Sequence, residues 1–261
     1  PFVLARFSKR GAGLDTEPAT PLRRIRRVEE NEVIAEFLRG EFYHPEFVPY
    51  RKTYADLVDH PNLNDERENL LRRALLFRRR GRLWRELPAD TQWWEVELSP
   101  EDMRRVRVFA RNDWLRYGAP GFLLLDTVER VRSRIRSRSR DPFIIKLKSL
   151  SVDMVQDDVE YRPVLLISVD DSSPLGILEG NHRMTAGGLV DATSLHRRFR
   201  FICGFSPRML ECCWYRTDAS TLLRYAVHSL TYYLVDRQKF TAALVEAETG
   251  NPAPPSNVHV T

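Results

Sequence analysis

Residues 163–192, reading PVLLISVDDSSPLGILEGNHRMTAGGLVDA, constrain the fold more than any other stretch. Residues 164–169 are apolar and rich in β-branched side chains apart from Ser168, as in a buried strand. Asp170, Asp171, Ser172, Ser173 and Pro174 are turn formers. Gly176, Ile177 and Leu178 resume a second strand, and Met184, Leu189 and Val190 then fall at roughly helical spacing. The pattern predicts strand, turn, strand, and a helix opening on Glu179, Gly180, Asn181, His182 and Arg183. The first N–H groups of a helix lack intrahelical partners, so a glycine-led opening is a ready anion site. A carboxylate, an amide, an imidazole and a guanidinium crowd that opening, which points to phosphate chemistry. The structural alternative is a solvated helix cap in which Glu179 pairs with Arg183.

The run ILEGNHR at residues 177–183 resembles the ILDGHHR-type motif of the ParB/sulfiredoxin-like fold, in the branch that contains free-serine kinases. Sulfiredoxins carry a Gly-Gly-Cys-His-Arg version and chromosome-partitioning ParB proteins a Gly-Glu-Arg-Arg version. The resemblance implies that Gly180, Asn181, His182 and Arg183 cradle nucleotide phosphates and that Glu179 takes the acidic position of the kinases. Asn181 stands where sulfiredoxin has its reactive cysteine, which argues against sulfinic-acid repair. The implied activity is phosphoryl transfer from ATP or ADP, with Mg²⁺, to a small hydroxyl compound such as the amino acid serine. Glu179 would then be a general base, within reach of a substrate hydroxyl, or a carboxylate that orients the metal. A second acidic residue is expected after the first strand of the kinase branch. Asp113 is the choice for it and Glu101 the reserve. His182 is a candidate for a phosphate or the leaving oxygen, Arg183 for a bidentate phosphate contact, and Thr185 for a hydroxyl on the phosphate or Mg²⁺. The alternative class is a ParB-like nucleotide-binding protein that handles nucleic acid, as a clamp or a nuclease-like module.

The chain divides by pattern into an arm (1–21), a helical N-terminal region (22–90), a ParB/sulfiredoxin-like domain (91–236) and a tail (237–261). The expected class is therefore α+β, a small mixed sheet with flanking helices behind a helical region. Residues 21–40 read as an amphipathic helix, with Ile25, Val28, Val33, Ile34, Phe37 and Leu38 on its apolar face. A short helix covers 54–59. Asn64 reads as the N-cap of a helix that runs to Arg80 and stops at Gly81, with Arg78, Arg79 and Arg80 suiting its C-terminal dipole. Residues 92–98 alternate as a strand, Ser99, Pro100, Glu101 and Asp102 open a helix or a turn, and Val106, Val108 and Phe109 suggest another strand. Residues 122–137 read as a helix, 143–147 and 199–205 as strands, and Thr217, Asp218, Ala219 and Ser220 as the capping stretch of a long helix reaching about Val235.

Composition bounds the rest. The 261 residues carry a net charge of +5, and 36 of the 41 basic residues are arginine, a skew that a GC-rich genome also produces; even so, a basic surface would attract nucleotides, nucleic acid or acidic substrates. The alternating arginines of 130–140 read mainly as a solvated helix end, with a nucleic-acid contact as the alternative. No apolar run approaches the roughly 20 residues that span a bilayer. Cys203, Cys212 and Cys213 make neither a disulfide framework nor a C-x-x-C pair, so a reducing, cytoplasmic setting is expected. The histidines lack metal-ligand spacing, and no structural zinc is expected.

Overall fold

The structure is a computed structural model and describes residues 21–42, 44–156 and 161–249. It opens with a strand where the sequence pattern suggests a helix: β1 (Arg23–Val28) precedes α1 (Glu30–Glu41). A 3-10 turn at Pro45–Phe47 leads to α2 (Val48–Asp59), and α3 (Glu66–Trp84) follows. Then come β2 (Gln92–Glu97), α4 (Pro100–Met103), β3 (Val106–Arg107), α5 (Asp113–Gly118), α6 (Leu124–Arg136) and α7 (Pro142–Gln156). The hairpin β4 (Val164–Ser168) and β5 (Leu175–Glu179) runs into α8 (Asn181–Asp191), as the sequence predicts. The chain continues through α9 (Leu195–Arg198), β6 (Phe201–Phe205), α10 (Ala219–Thr231), a π-helical turn at Tyr232–Asp236 and α11 (Arg237–Thr249). The expected arm lies outside the described residues up to 20, as does the tail from 250 on. Residues 237–249 of that tail are helical.

The protein is α+β, with a mixed six-stranded sheet in the order β1-β2-β6-β4-β5-β3 and helices on both faces. β6 and β4 are parallel, as are β5 and β3, and the other neighbours are antiparallel. All five residues of β4 are buried, because both faces of that strand are covered. Val164 and Leu166 pack toward α6, α7 and α8, while Leu165 and Ile167 pack toward α1 and α3. The N-terminal helices and the hairpin therefore share one sheet, and β1 joins it through β2.

Three departures from the sequence reading have identifiable physical causes. β1 is arginine-rich and forms because its partner strand is acidic: Arg23 bonds Glu97 at 2.6 Å and Arg26 bonds Glu95 at 2.9 Å. Residues 143–147, expected as a strand, are helical. Asp141 caps them by accepting from Phe143 N at 2.9 Å, and Phe143, Ile144, Leu147 and Met154 bury a helical face. The N-cap of α3 is Asp65 rather than Asn64, accepting from Arg67 N at 2.8 Å and Glu68 N at 3.1 Å.

The same helix does not stop at Gly81 but continues to Trp84. Gly81 serves there as a contact point. A Cβ on it would lie 2.3 Å from the ring of Tyr232, whose hydroxyl donates to Phe77 O at 2.7 Å. That ring is 5% exposed and cannot step aside. Gly81→Ala is expected to cost about 1–3 kcal/mol through overpacking. Urea unfolding measures it, and an unchanged midpoint would show that α3 and the π-helical turn are not locked together there.

Candidate functional site

Gly180 makes the turn from β5 into α8. Its φ of 106° is left-handed, and a Cβ would lie 3.2 Å from both Val164 γ-carbons, so only glycine fits without strain. The residues after it are each held by a different neighbour. Asn181 Oδ1 accepts from Phe109 N at 2.9 Å, pinning the loop after β3 to the start of α8. Arg183 pairs with Glu179 and also donates to Arg162 O at 2.5 Å and Pro163 O at 3.2 Å. This is the cap-like pairing of the structural alternative, and it occupies the guanidinium expected to grip phosphate.

The signature nevertheless opens onto a cleft of about 470 Å³. Its opposite wall comes from the N-terminal helices, with Glu41 at the end of α1 and Arg79, Arg80 and Arg82 on α3. A third wall brings Phe109 and Arg111 from the loop after β3, with Trp214 and Tyr225 beside them. The Arg111 guanidinium lies 4.0 Å from the Trp214 ring centre and 4.8 Å from that of Tyr225, and Phe109 stacks on Trp214 at 4.9 Å. Such an aromatic cage fixes a cation in place. Five arginines and two glutamates thus face one hollow, giving it a cationic balance. A second hollow of about 670 Å³ lies beside β1 and β2, bordered by Arg23, His196 and Arg200, and no residue of the signature reaches it.

The two carboxylates differ in character. Burial raises Glu179 above its ordinary 4.5, Arg183 opposes the rise, and neighbouring Glu41 adds to it. For Glu41 burial also works upward, but Arg80 and Arg79 outweigh it and hold the group low. His182 falls to about 4 because it is buried and faces Lys146. Its ring packs against Trp114 at 5.2 Å and Phe143 at 5.7 Å, so it enters the cleft wall as a neutral imidazole at neutral pH.

Of the remaining sequence candidates, Asp113 is exposed at the start of α5 and does not line the cleft, although its charge is felt by His182. Glu101 is exposed on α4, a helix bordering the other hollow. Thr185 is fully buried and lies off the cleft lining, so the structure does not offer it to a ligand. The three cysteines are buried, and burial pushes each thiol up, away from the reactive thiolate. Among the described residues no helix is long and apolar enough to cross a membrane. Nor do they include a group of three or more His, Cys, Asp or Glu residues arranged to hold a metal.

Sequence reasoning missed Glu41, Arg79, Arg111 and Trp214. One signal was present: Arg79 follows Leu75 by four positions and Leu76 by three, placing a charge in phase with a buried helix face. Arg111 and Trp214 carried no comparable signal, because their meeting is tertiary. Mg²⁺, implied by the resemblance, does not suit these donors. It requires free hard oxygens, and both cleft carboxylates are already paired with guanidinium groups.

No protein-family model, curated protein or solved structure matches the chain.

The titration of Glu179 gives a test with a definite sign. A carboxyl raised on folding adds stability that is complete below its unfolded value and is lost as pH rises through the folded one. The stability of Glu179→Gln relative to wild type should therefore increase as pH rises above about 4, the ordinary unfolded value. Paired urea titrations at each pH read this difference, and a flat or falling trend contradicts the assignment.

Proposed function

We propose that the cleft binds a nucleotide through its phosphates and supports phosphoryl transfer to a small hydroxyl compound, with an amino acid such as serine the first acceptor to test. The observation that carries this reading is the convergence of the Glu179–Arg183 signature with Arg79, Arg80, Arg82 and Arg111 on one hollow. The cleft falls within the usual size range of small-molecule sites, about 300–1,000 Å³.

Phosphoryl transfer asks a protein mainly to position the reactants and to stabilise charge spread over phosphate oxygens. Arginines suit that task because their planar forks match oxyanions. Arg82 and Arg111 have no carboxylate partner among the described residues, so they are the guanidinium groups most open to a ligand. Glu179 is the group to take the acceptor's proton. Burial raises its affinity for protons, the direction that favours a general base. Arg183 orients that carboxylate rather than gripping phosphate. Asn181 holds the loop that presents Arg111, and His182 supplies a neutral wall. Mg²⁺ does not fit the carboxylates present, and no step is assigned to it.

The order strand, hairpin, Gly180 turn and helix supports a ParB/sulfiredoxin-like fold of the free-serine-kinase-like branch. The nucleic-acid alternative gains less. Within the arginine strip of 130–140, Arg130 donates to Tyr117 O at 3.0 Å and Arg132 to Gly188 O at 2.8 Å.

In Glu179→Gln, turnover of ATP or ADP with serine is expected to fall at least about 100-fold, the lower range for a general base, while nucleotide affinity is retained. Product formation and calorimetric binding, measured on the same preparation, separate the two effects. An unchanged turnover number sinks the catalytic assignment.

A further inference from the structure

We propose that Arg79 and Arg80 form an oxyanion seat which the chain's own Glu41 fills when no ligand is bound, and that a terminal phosphate enters by displacing that carboxylate. The inference rests on the reading that this cleft takes a phosphorylated ligand.

The seat has the geometry of anion recognition. Glu41 Oε2 accepts from Arg79 Nε at 2.6 Å and Arg80 Nε at 3.1 Å, while Oε1 accepts from Arg80 Nη2 at 3.1 Å. A bidentate fork with a second guanidinium beside it serves a carboxylate and a phosphate alike. Both cations are held in place. Arg79 is 12% exposed and also pairs with Glu46 at 2.6 Å, and both arise from a well-packed stretch of α3. Arg80 is 37% exposed, so the seat can be reached.

Three features favour displacement over a purely structural ion pair. Glu41 is the last residue of α1, and Phe42 behind it is buried, with its N–H bonded to Leu38 O at 2.7 Å. The side chain can therefore rotate away while the backbone stays. Glu41 also shares the cleft with Glu179, whose carboxylate lies 3.7 Å from where a Cβ on Gly40 would sit. Adding a phosphate to two carboxylates raises the repulsion, and expelling Glu41 lowers it while freeing three N–H donors. Finally, Arg183 is engaged with Glu179, Arg162 O and Pro163 O, so the phosphate contact expected of it has to be made elsewhere.

The test is calorimetric titration of inorganic pyrophosphate and of ATP, without added metal, into wild type, Glu41→Gln and Arg80→Gln. Removing the competing carboxylate should tighten binding about tenfold or more, the scale of a part-buried ion pair, and Arg80→Gln should weaken it by a similar factor. Binding by Glu41→Gln where wild type shows none also supports the seat. Wild-type binding that Glu41→Gln leaves equal or weaker overturns the seat while the nucleotide cleft stands. Should Glu41→Gln fail to fold, unchanged affinity in Arg80→Gln overturns it equally. Absence of binding in every folded variant removes both the seat and the cleft reading.

Discussion

The guanidinium of Arg183 holds the corner on which the site depends. It ties the end of β5, through Glu179, to the chain entering β4, through the carbonyls of Arg162 and Pro163. A partly buried ion pair is favourable only when its remaining donors are satisfied, and the two carbonyls do this. Because Gly180 lets the chain turn within one residue, Glu179 and Arg183 meet one helical turn apart at the mouth of the cleft. Loss of Arg183 would leave the glutamate buried without its counter-charge, a defect of about 3–5 kcal/mol in fully buried pairs and less at this partial exposure.

That corner becomes a cleft only because the N-terminal helices lie across from it. Their placement begins with β1, an arginine-rich edge strand neutralised by Glu95, Glu97 and Asp171. Charged edge strands also resist pairing with other chains. α1 then packs on α3, where Glu30 accepts from Trp84 Nε1 at 2.8 Å and from Arg73 at 2.7 Å. Over the same C-terminal half α3 is fixed by the ring of Tyr232 against Gly81 and by Phe77 against Phe240 at 4.3 Å. One helix thus supplies arginines to the cleft and a docking face to the C-terminal helices.

What could be read in advance was whatever is encoded locally. The hairpin, the Gly180 turn and the start of α8 follow from a continuous apolar run, turn residues and a single glycine. Ser99 and Asp218 are true caps, each completing a capping box. β1 was not legible, because its apolar residues also fit a helical face and its stabilising carboxylates lie about 70 positions away. The stretch around Phe143 and Ile144 misled for the opposite reason: its β-branched composition suits a strand, but burial on one helical face decided the outcome. Within the site, the signature was visible and its partners were not. In sequence the arginines at 78–80 suit the dipole of a helix ending at Arg80, but α3 runs on to Trp84 and leaves them before its last turn; only α1, the loop after β3 and Tyr225 bring Arg79, Arg80 and Arg111 to one hollow.

Five guanidinium groups gather on one hollow beside a glycine-led helix, and nucleotide binding is the proposal on which the function suggested for it stands. Its most direct test is a calorimetric comparison of ATP, ADP, CTP and GTP on the wild-type chain and on Arg111→Ala. Adenine nucleotides are expected to bind, and to bind more weakly in the variant, since the caged guanidinium contributes to the phosphate field. Absence of binding for all four nucleotides on a folded wild-type protein would contradict it.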